Sequence, residues 1–422
     1  MHRLSSYHSR ALLSFMASGP RWCPLALARG LFRLTAAPNP PVRRVSRSPH
    51  GYRNIASGIA VKGEMDKPDR HLLIPSANDK RDRTEGTLDI SDTELDSDGE
   101  EGWSAQIPRF PVDGIFPLYR FPRSRHRDGS IYRGADSWKE EFGTANRNET
   151  RLEAMMLSDP TDCALHVDGT CMRHPPRPLL QIFSLKLHKV HVDGGLVELY
   201  GYIAARDRLD RLLNHVINFS RDDPIIVEQG SLINMAGPKR GIQLIGTILI
   251  EYDLRIKTGK HEKDDLQLID GASIIDDIGT EDRDIFTRRI HGEYGTMEIS
   301  ASRLLYAVEA TIEVLISEVY RSFNLHLGCF TSGLQEQIQL FDGDIDESCG
   351  LKRSVVAVRM HTSVELKFKV GSESSRSAEH CCSFKANQHG CVSKEIKTDL
   401  ALISVKVTWS PLPRGLGVVF PA

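Results

Sequence analysis

The chain has 422 residues, 40% hydrophobic and 26% charged, with a formal net charge of −2, values typical of an ordinary folded protein. A near-neutral balance exerts no global pull on nucleic acid or an anionic membrane, and no apolar run approaches the roughly 18 residues that span a bilayer, so a soluble chain is expected. Eight cysteines scattered over this length do not read as a disulfide framework and fit a reducing compartment.

Residues 1–63 hold nine Arg and one Lys, many Ser, Ala and Leu, and no acid before Glu64. That composition fits an organelle transit peptide for a chloroplast or mitochondrion; without it the expected location is the cytoplasm. The competing reading is an extension that is not translated.

Residues 64–178 read as a mostly disordered acidic and Pro-rich linker. Asp89 to Glu101 is a run of acids and small residues that cannot bury apolar surface. Ser91, Thr93 and Ser97 each stand three residues before an acid, the pattern of acid-directed phosphorylation. Tyr119 to Arg127 is basic with two aromatics, a pattern seen in RNA contacts and import signals, but the acidic run upstream offsets its field and nucleic-acid binding is not expected. Trp138, Phe142, Leu152, Met155 and Met156 space out one short helix near 138–156. His174-Pro-Pro-Arg-Pro178 then marks a boundary. Two glycosylation triplets, at Asn148 and Asn218, lack a secretory signal and read as chance matches.

Residues 179–412 read as strands. Phe183, Leu185 and Leu187 alternate with polar neighbours. So do Leu244 to Ile256 at every second position, Val356 to Val370, and Ile403 to Trp409. Period-2 patterns of this length place one face in a core and the other, here carrying Glu251, Asp253 and Arg255, in water. Shorter strands are expected at 196–204, 215–219, 225–228, 266–269, 298–302, 308–316, 337–341 and 382–385. Asp193-Gly-Gly195 and His389-Gly390 read as hairpin turns, and Ala236 to Gly241, Asp342-Gly343 and residues 371–375 as further turns. Arg206 to Leu213 reads as a short helix. The class that follows is all-β: an antiparallel sandwich or partly open barrel of about ten strands.

Leu180-Gln-Ile-Phe-Ser184, Val197 to Asp207, Ala236 to Arg240, Asp264 to Ala272, Val308 to Ile312, Val355 to Val358 and Val405 to Ser410, taken in this order, resemble a plant family expanded in grasses, the domain of unknown function 6598. The resemblance covers residues 179–410 and implies no established activity. A similar domain stands behind a ribosome-inactivating N-glycosidase domain in some jasmonate-induced cereal proteins, which implies stress or defence by association only. This chain departs from that arrangement, because its residues before 179 are too short and too polar for a glycosidase.

Several residue groups invite a chemical reading. Glu318-Val-Tyr-Arg321 imitates the Glu/Arg pair of a ribosomal-RNA glycosidase, but that chemistry needs stacking tyrosines, a Trp wall and a supporting helix. His380, Cys382, His389 and Cys391 are weak metal candidates. Cys381 and Cys382 point to opposite faces of a strand, and the C-x2-C spacing is absent. Asp342, Asp344 and Asp346 alternate like calcium ligands, with Glu347 and Arg353 where an EF-hand needs Gly and Glu. Ala236 to Gly241 is no P-loop, since it precedes a strand. Asp207 with Asp210, and Asp276 with Asp277, are acid pairs with no evident cleft. The sequence therefore points to a non-catalytic binding module with no cofactor and an unidentified protein or ligand partner. The alternative is an accessory or catalytic partner of ribosome-inactivating activity.

Overall fold

The structure, a computed structural model, describes residues 113–414 apart from Asp193, Ala236 and residues 373 and 374. The leader (1–63) and the acidic run with Ser91, Thr93 and Ser97 lie outside the described residues. In chain order the elements are β1 (Phe116–Pro117), α1 (Ser137–Phe142), β2 (Arg177–Val190), β3 (Leu196–Arg206), β4 (Asn214–Phe219), β5 (Ile225–Glu228), β6 (Ile242–Gln243), β7 (Thr247–Ile256), β8 (Leu266–Asp276) and β9 (Ile285–His291). There follow β10 (Gly295–Ser317), β11 (Phe323–Thr331), β12 (Ile338–Ile345), β13 (Cys349–Gly350), β14 (Ser354–Arg359), β15 (Ser363–Ser372), β16 (Ser375–Lys385), β17 (Gly390–Lys397) and β18 (Leu402–Ser410).

The fold is all-β and antiparallel, apart from the parallel pair β1–β9. Among the described residues three sheets build it. The largest runs β1-β9-β10-β18-β17, with β2, β13 and β14 also on β10 and β6 on β2. A second runs β4-β3-β7-β8 with β5 on β3, and a third runs β12-β11-β15-β16. Two large apolar cores result among the described residues. The first lies between the second sheet and the early part of β10, and includes Ile248, Ile250, Tyr252, Leu254, Met297 and Ile299. The other lies between the third sheet and the later part of β10, and includes Val308, Ile312, Leu366, Phe368, Val407 and Trp409.

Strand β10 joins the two cores. Its inward residues are odd-numbered early (Met297, Ile299, Ala301) and even-numbered late (Val308, Ala310, Ile312, Val314, Ile316). The register shifts between Leu304 and Ala307, where Tyr306 takes a positive φ of 54°. An inserted residue exchanges the faces of everything beyond it, so one ribbon serves both cores. The sequence splits this strand into two short ones. In the opposite sense, the single alternating run 356–370 is two strands in different sheets, β14 and β15, with the chain turning at His361. The alternation survives because both strands send even-numbered residues into the same core.

Other expectations change in tertiary context. The glycines of the 193–195 turn, both at positive φ, lead from β2 to β3, which lie in different sheets. The turn is a crossover and not a hairpin. The same holds at His389-Gly390, between β16 and β17. Residues 207–213 form no helix: Asp207 Oδ1 accepts the N–H groups of Leu209 (3.1 Å) and Asp210 (3.0 Å) and folds them into a turn, as Asp side chains do. The acids Asp342 and Asp344 sit on β12 rather than in a loop, opposite His326 and Asn324 of β11.

From residue 113 onward, the segment read as linker is folded onto the sheets. Leu118 N–H donates to Arg289 O (2.7 Å) and Phe121 N–H to Ala272 O (2.8 Å), which ties the segment to β9 and β8. Ile131 and Phe142 pack with Leu249 and Ala272, and Phe121 stacks on Trp138 at 4.7 Å. Helix α1 spans only Ser137–Phe142 and closes on Gly143 at φ 60°, the usual left-handed cap. Gly271 permits this docking, since a Cβ there would meet Arg120 Cδ at 2.5 Å. Composition did not reveal the docking because the apolar anchors are few and widely spaced.

Candidate metal centre

Four side chains from two distant parts of the chain meet in one cluster. Residues 163–174 form a short hairpin, bridged at Leu165 and Cys171 and closed by His166 N–H to Thr170 O (2.8 Å) and Met172 N–H to Ala164 O (2.8 Å). Gly169, at φ 83°, makes the turn that a residue with a Cβ resists. The hairpin carries Cys163, Cys171 and His174; His389 comes from the crossover before β17. One donor atom from each of the four lies within 4.8 Å of all the others. Cys171 Sγ is 3.3 Å from His174 Nδ1, Cys163 Sγ is 3.5 Å from His389 Nε2, and Cys163 Sγ is 3.9 Å from His174 Nδ1.

The surroundings fix these atoms. His389 Nδ1 lies 2.6 Å from the Leu157 carbonyl, so it carries the proton and leaves the Nε2 lone pair facing sulfur. His174 Nε2 is 3.4 Å from Asp162 Oδ1. Gln388 clamps the hairpin: it accepts Cys171 N–H (2.7 Å) and donates to the carbonyls of Cys171 (2.7 Å) and His174 (2.6 Å). Gly390 N–H donates to Ser158 O (2.7 Å). Burial alone would raise the Cys171 thiol. Hydrogen bonds from Cys163 and from the N–H groups of His174 and Arg173 outweigh it and draw the pKa down to about 7. Burial and the neighbouring Cys171 push Cys163 up to about 11. Two sulfurs and two imidazole nitrogens thus face one point, a donor set that takes a soft cation or shares thiol protons with imidazole.

A second polar cluster is buried on the outer face of the second sheet. His126 lies between Asp270 (Nδ1, 2.7 Å) and Glu251 (Nε2, 3.0 Å), with its side chain only 3% exposed. Tyr202 donates to Glu251 Oε1 (2.6 Å) and Arg206 Nε to Glu251 Oε2 (2.7 Å). The N–H groups of His126 and Arg127 also donate to Asp270. Burial pulls the His126 pKa down, but the hydrogen bonds and charges of Asp270 and Glu251 outweigh it and hold it at about 9. Burial pushes Glu251 up, and His126 and Arg206 more than reverse that, to about 2. Two cations thus balance two carboxylates, a neutral set that a buried site can carry.

A family model described as Domain of unknown function (DUF6598) matches residues 179–407, more than half of the chain. The chain is a member of the DUF6598 family. No curated protein matches it. Among solved structures, the DUF6598 chain is similar to human GIVD cytosolic phospholipase A2, at 8% identity and TM-score 0.21, over 57% of this chain and 31% of that one. It thus spans about a third of that protein. It is also similar to the paired C2 domains of Extended-Synaptotagmin 2, at 10% identity and TM-score 0.21, over 60% of this chain and 99% of that one. Likeness at these scores is too weak to inform the reading of the site.

Within the DUF6598 domain the sequence-derived metal candidates are separated. Only His389 reaches the four-donor cluster. Cys382 is buried in the second core with Cys329, where burial lifts its thiol to about 11. Cys391 is exposed on β17, and His380 lies on β16. Asp342, Asp344 and Asp346 are not enclosed; Asp342 sits 3.6 Å from His326, and Asp344 accepts from Asn324 at 3.3 Å. Glu318 and Arg321 lie at the surface on the turn after β10. Asp207 is buried in an ion pair with Arg240, while Asp276 and Asp277 accept backbone N–H groups of Gly279 and Gly246. Sequence reasoning passed over Cys163, Cys171 and His174. Cys171 and His174 are separated by two residues, but the completing ligand His389 is more than 200 residues away in the chain.

Proposed function

We propose that this domain is a non-catalytic binding module that meets a protein partner through the tip of the 163–174 hairpin, in the plant stress or defence setting implied by the family resemblance. One observation carries the reading: Leu165, Val167 and Met172 are 65%, 100% and 59% exposed on a loop whose base is clamped by Gln388. Apolar side chains grouped on a fixed loop mark an interaction surface, and a fixed loop loses little entropy when it is covered.

The test is affinity capture with the full-length chain and with the L165D/V167D variant. The wild type is expected to retain a protein that the variant loses, with the same melting temperature for both, as for other surface changes. Equal capture by the two overturns the reading. The alternative assigns a role in ribosomal-RNA depurination to Glu318 and Arg321. Their place on a surface turn, where water screens a developing charge, speaks against it. Adenine release from ribosomes that disappears in the E318A variant would establish it instead.

A further inference from the structure

We propose that Cys163, Cys171, His174 and His389 bind one zinc ion in a closed tetrahedral site, and that the ion fastens the segment ahead of β2 to the crossover between β16 and β17.

With Zn–S near 2.3 Å and Zn–N near 2.0–2.1 Å, a regular tetrahedron has sulfur–nitrogen edges of about 3.5–3.6 Å. Three of the four sulfur–nitrogen separations are 3.3, 3.5 and 3.9 Å, and every pair of donors lies within 4.8 Å. Side-chain shifts of up to about 1 Å bring the four donors onto one ion.

Both histidines are held through the nitrogen that faces away from sulfur. His389 spends its Nδ1 proton on the Leu157 carbonyl, and His174 turns Nε2 toward Asp162. In metal sites a ligating histidine is usually held in this way through its other nitrogen. The three bonds of Gln388 hold the hairpin in place before any ion arrives.

Two thiolates and two neutral imidazoles form a soft S2N2 set suited to zinc. Four protein ligands leave no open position, so the site is structural and not catalytic. Binding replaces two S–H bonds with two Zn–S bonds and releases two protons to solvent, leaving a site of zero net charge in a largely buried place. His389 lies inside the family match and the other three ligands precede it, so the ion would join the hairpin to the family domain across more than 200 residues of chain. The inference is independent of what the hairpin tip binds.

The experiment uses the full-length chain purified under reducing conditions, dialysed against excess zinc and then freed of loosely held metal. Elemental analysis is expected to give one zinc per chain. Alkylation mapped by mass spectrometry is expected to find Cys163 and Cys171 at least tenfold less labelled with zinc than after chelation, while Cys381 and Cys391 label equally in both. Cobalt substituted for zinc is expected to give thiolate charge-transfer and tetrahedral d–d bands. The C171S and H389Q variants are expected to lose the metal, and C391S to keep it. Chelation is expected to lower the melting temperature by several degrees. Zinc-independent labelling of Cys163 and Cys171, zinc content near zero, or a Cys163–Cys171 disulfide in the reduced preparation overturns the proposal. The labelling and cobalt measurements on wild-type protein decide the matter even if a variant fails to fold.

Discussion

Raising the pH from 6.5 to 9 should release the segment that carries His126 from the second sheet. The imidazolium is held by Glu251 and Asp270, and its pKa rises from 6.5 to about 9 on folding. At about 1.4 kcal/mol per pH unit, that is about 3 kcal/mol of stability. A folded-state pKa above the unfolded one means that this contribution is fully present below pH 6.5 and lost as pH rises through 9. Glu251, held down at about 2, acts in the opposite sense: its contribution is present above the ordinary glutamate pKa of 4.5 and lost as pH falls through 2. The network is therefore strongest between about pH 4.5 and 6.5. Urea unfolding of the wild type and of H126Q at intervals from pH 6 to 9.5 measures the effect. The wild type is expected to lose about 3 kcal/mol relative to the variant, and amide exchange near residues 118–135 is expected to speed up first, because backbone N–H groups of His126 and Arg127 are anchored on Asp270. Parallel pH profiles for the two proteins between pH 7 and 9 would refute the assignment of the protonated imidazole to this site.

Other perturbations test the rest of the fold. Asp207 and Arg240 form a buried two-pronged pair at 2.7 and 2.9 Å; D207N or R240L alone should cost about 3–5 kcal/mol in urea unfolding, and the two together less than their sum. Burial raises Glu309 to about 7, against the N–H of Gly241 and the charge of Arg240. Because the folded chain keeps a proton that the unfolded chain gives up between pH 4.5 and 7, stability falls as pH climbs through that window. E309Q should therefore melt higher than wild type at pH 8 and about equally at pH 4. Trp409, 2% exposed in the second core, should cost about 3–5 kcal/mol when replaced by Ala, read from the urea midpoint at unchanged m-value.

The inward sets of β7, β15 and β18 were legible in the sequence, because period-2 alternation is local: each strand carries its own record of which face meets the core. The all-β class followed from the same runs, and the family resemblance from seven short blocks read in order. What lies on the other face was not legible. Glu251 belongs to the polar set of its strand and is fully buried, because a segment more than a hundred residues earlier covers it with His126. Strand ends were also not local, since β10 continues through a bulge and the run 356–370 changes sheets without breaking its alternation. The four-donor cluster is the extreme case. Cys163 and His389 are 226 residues apart, and nothing in the spacing of either announces the other. Local alternation alone determined which side chains seek a core. Only the tertiary structure decided which segments close over the remaining faces, because those contacts arise between parts of the chain that have no local periodicity in common.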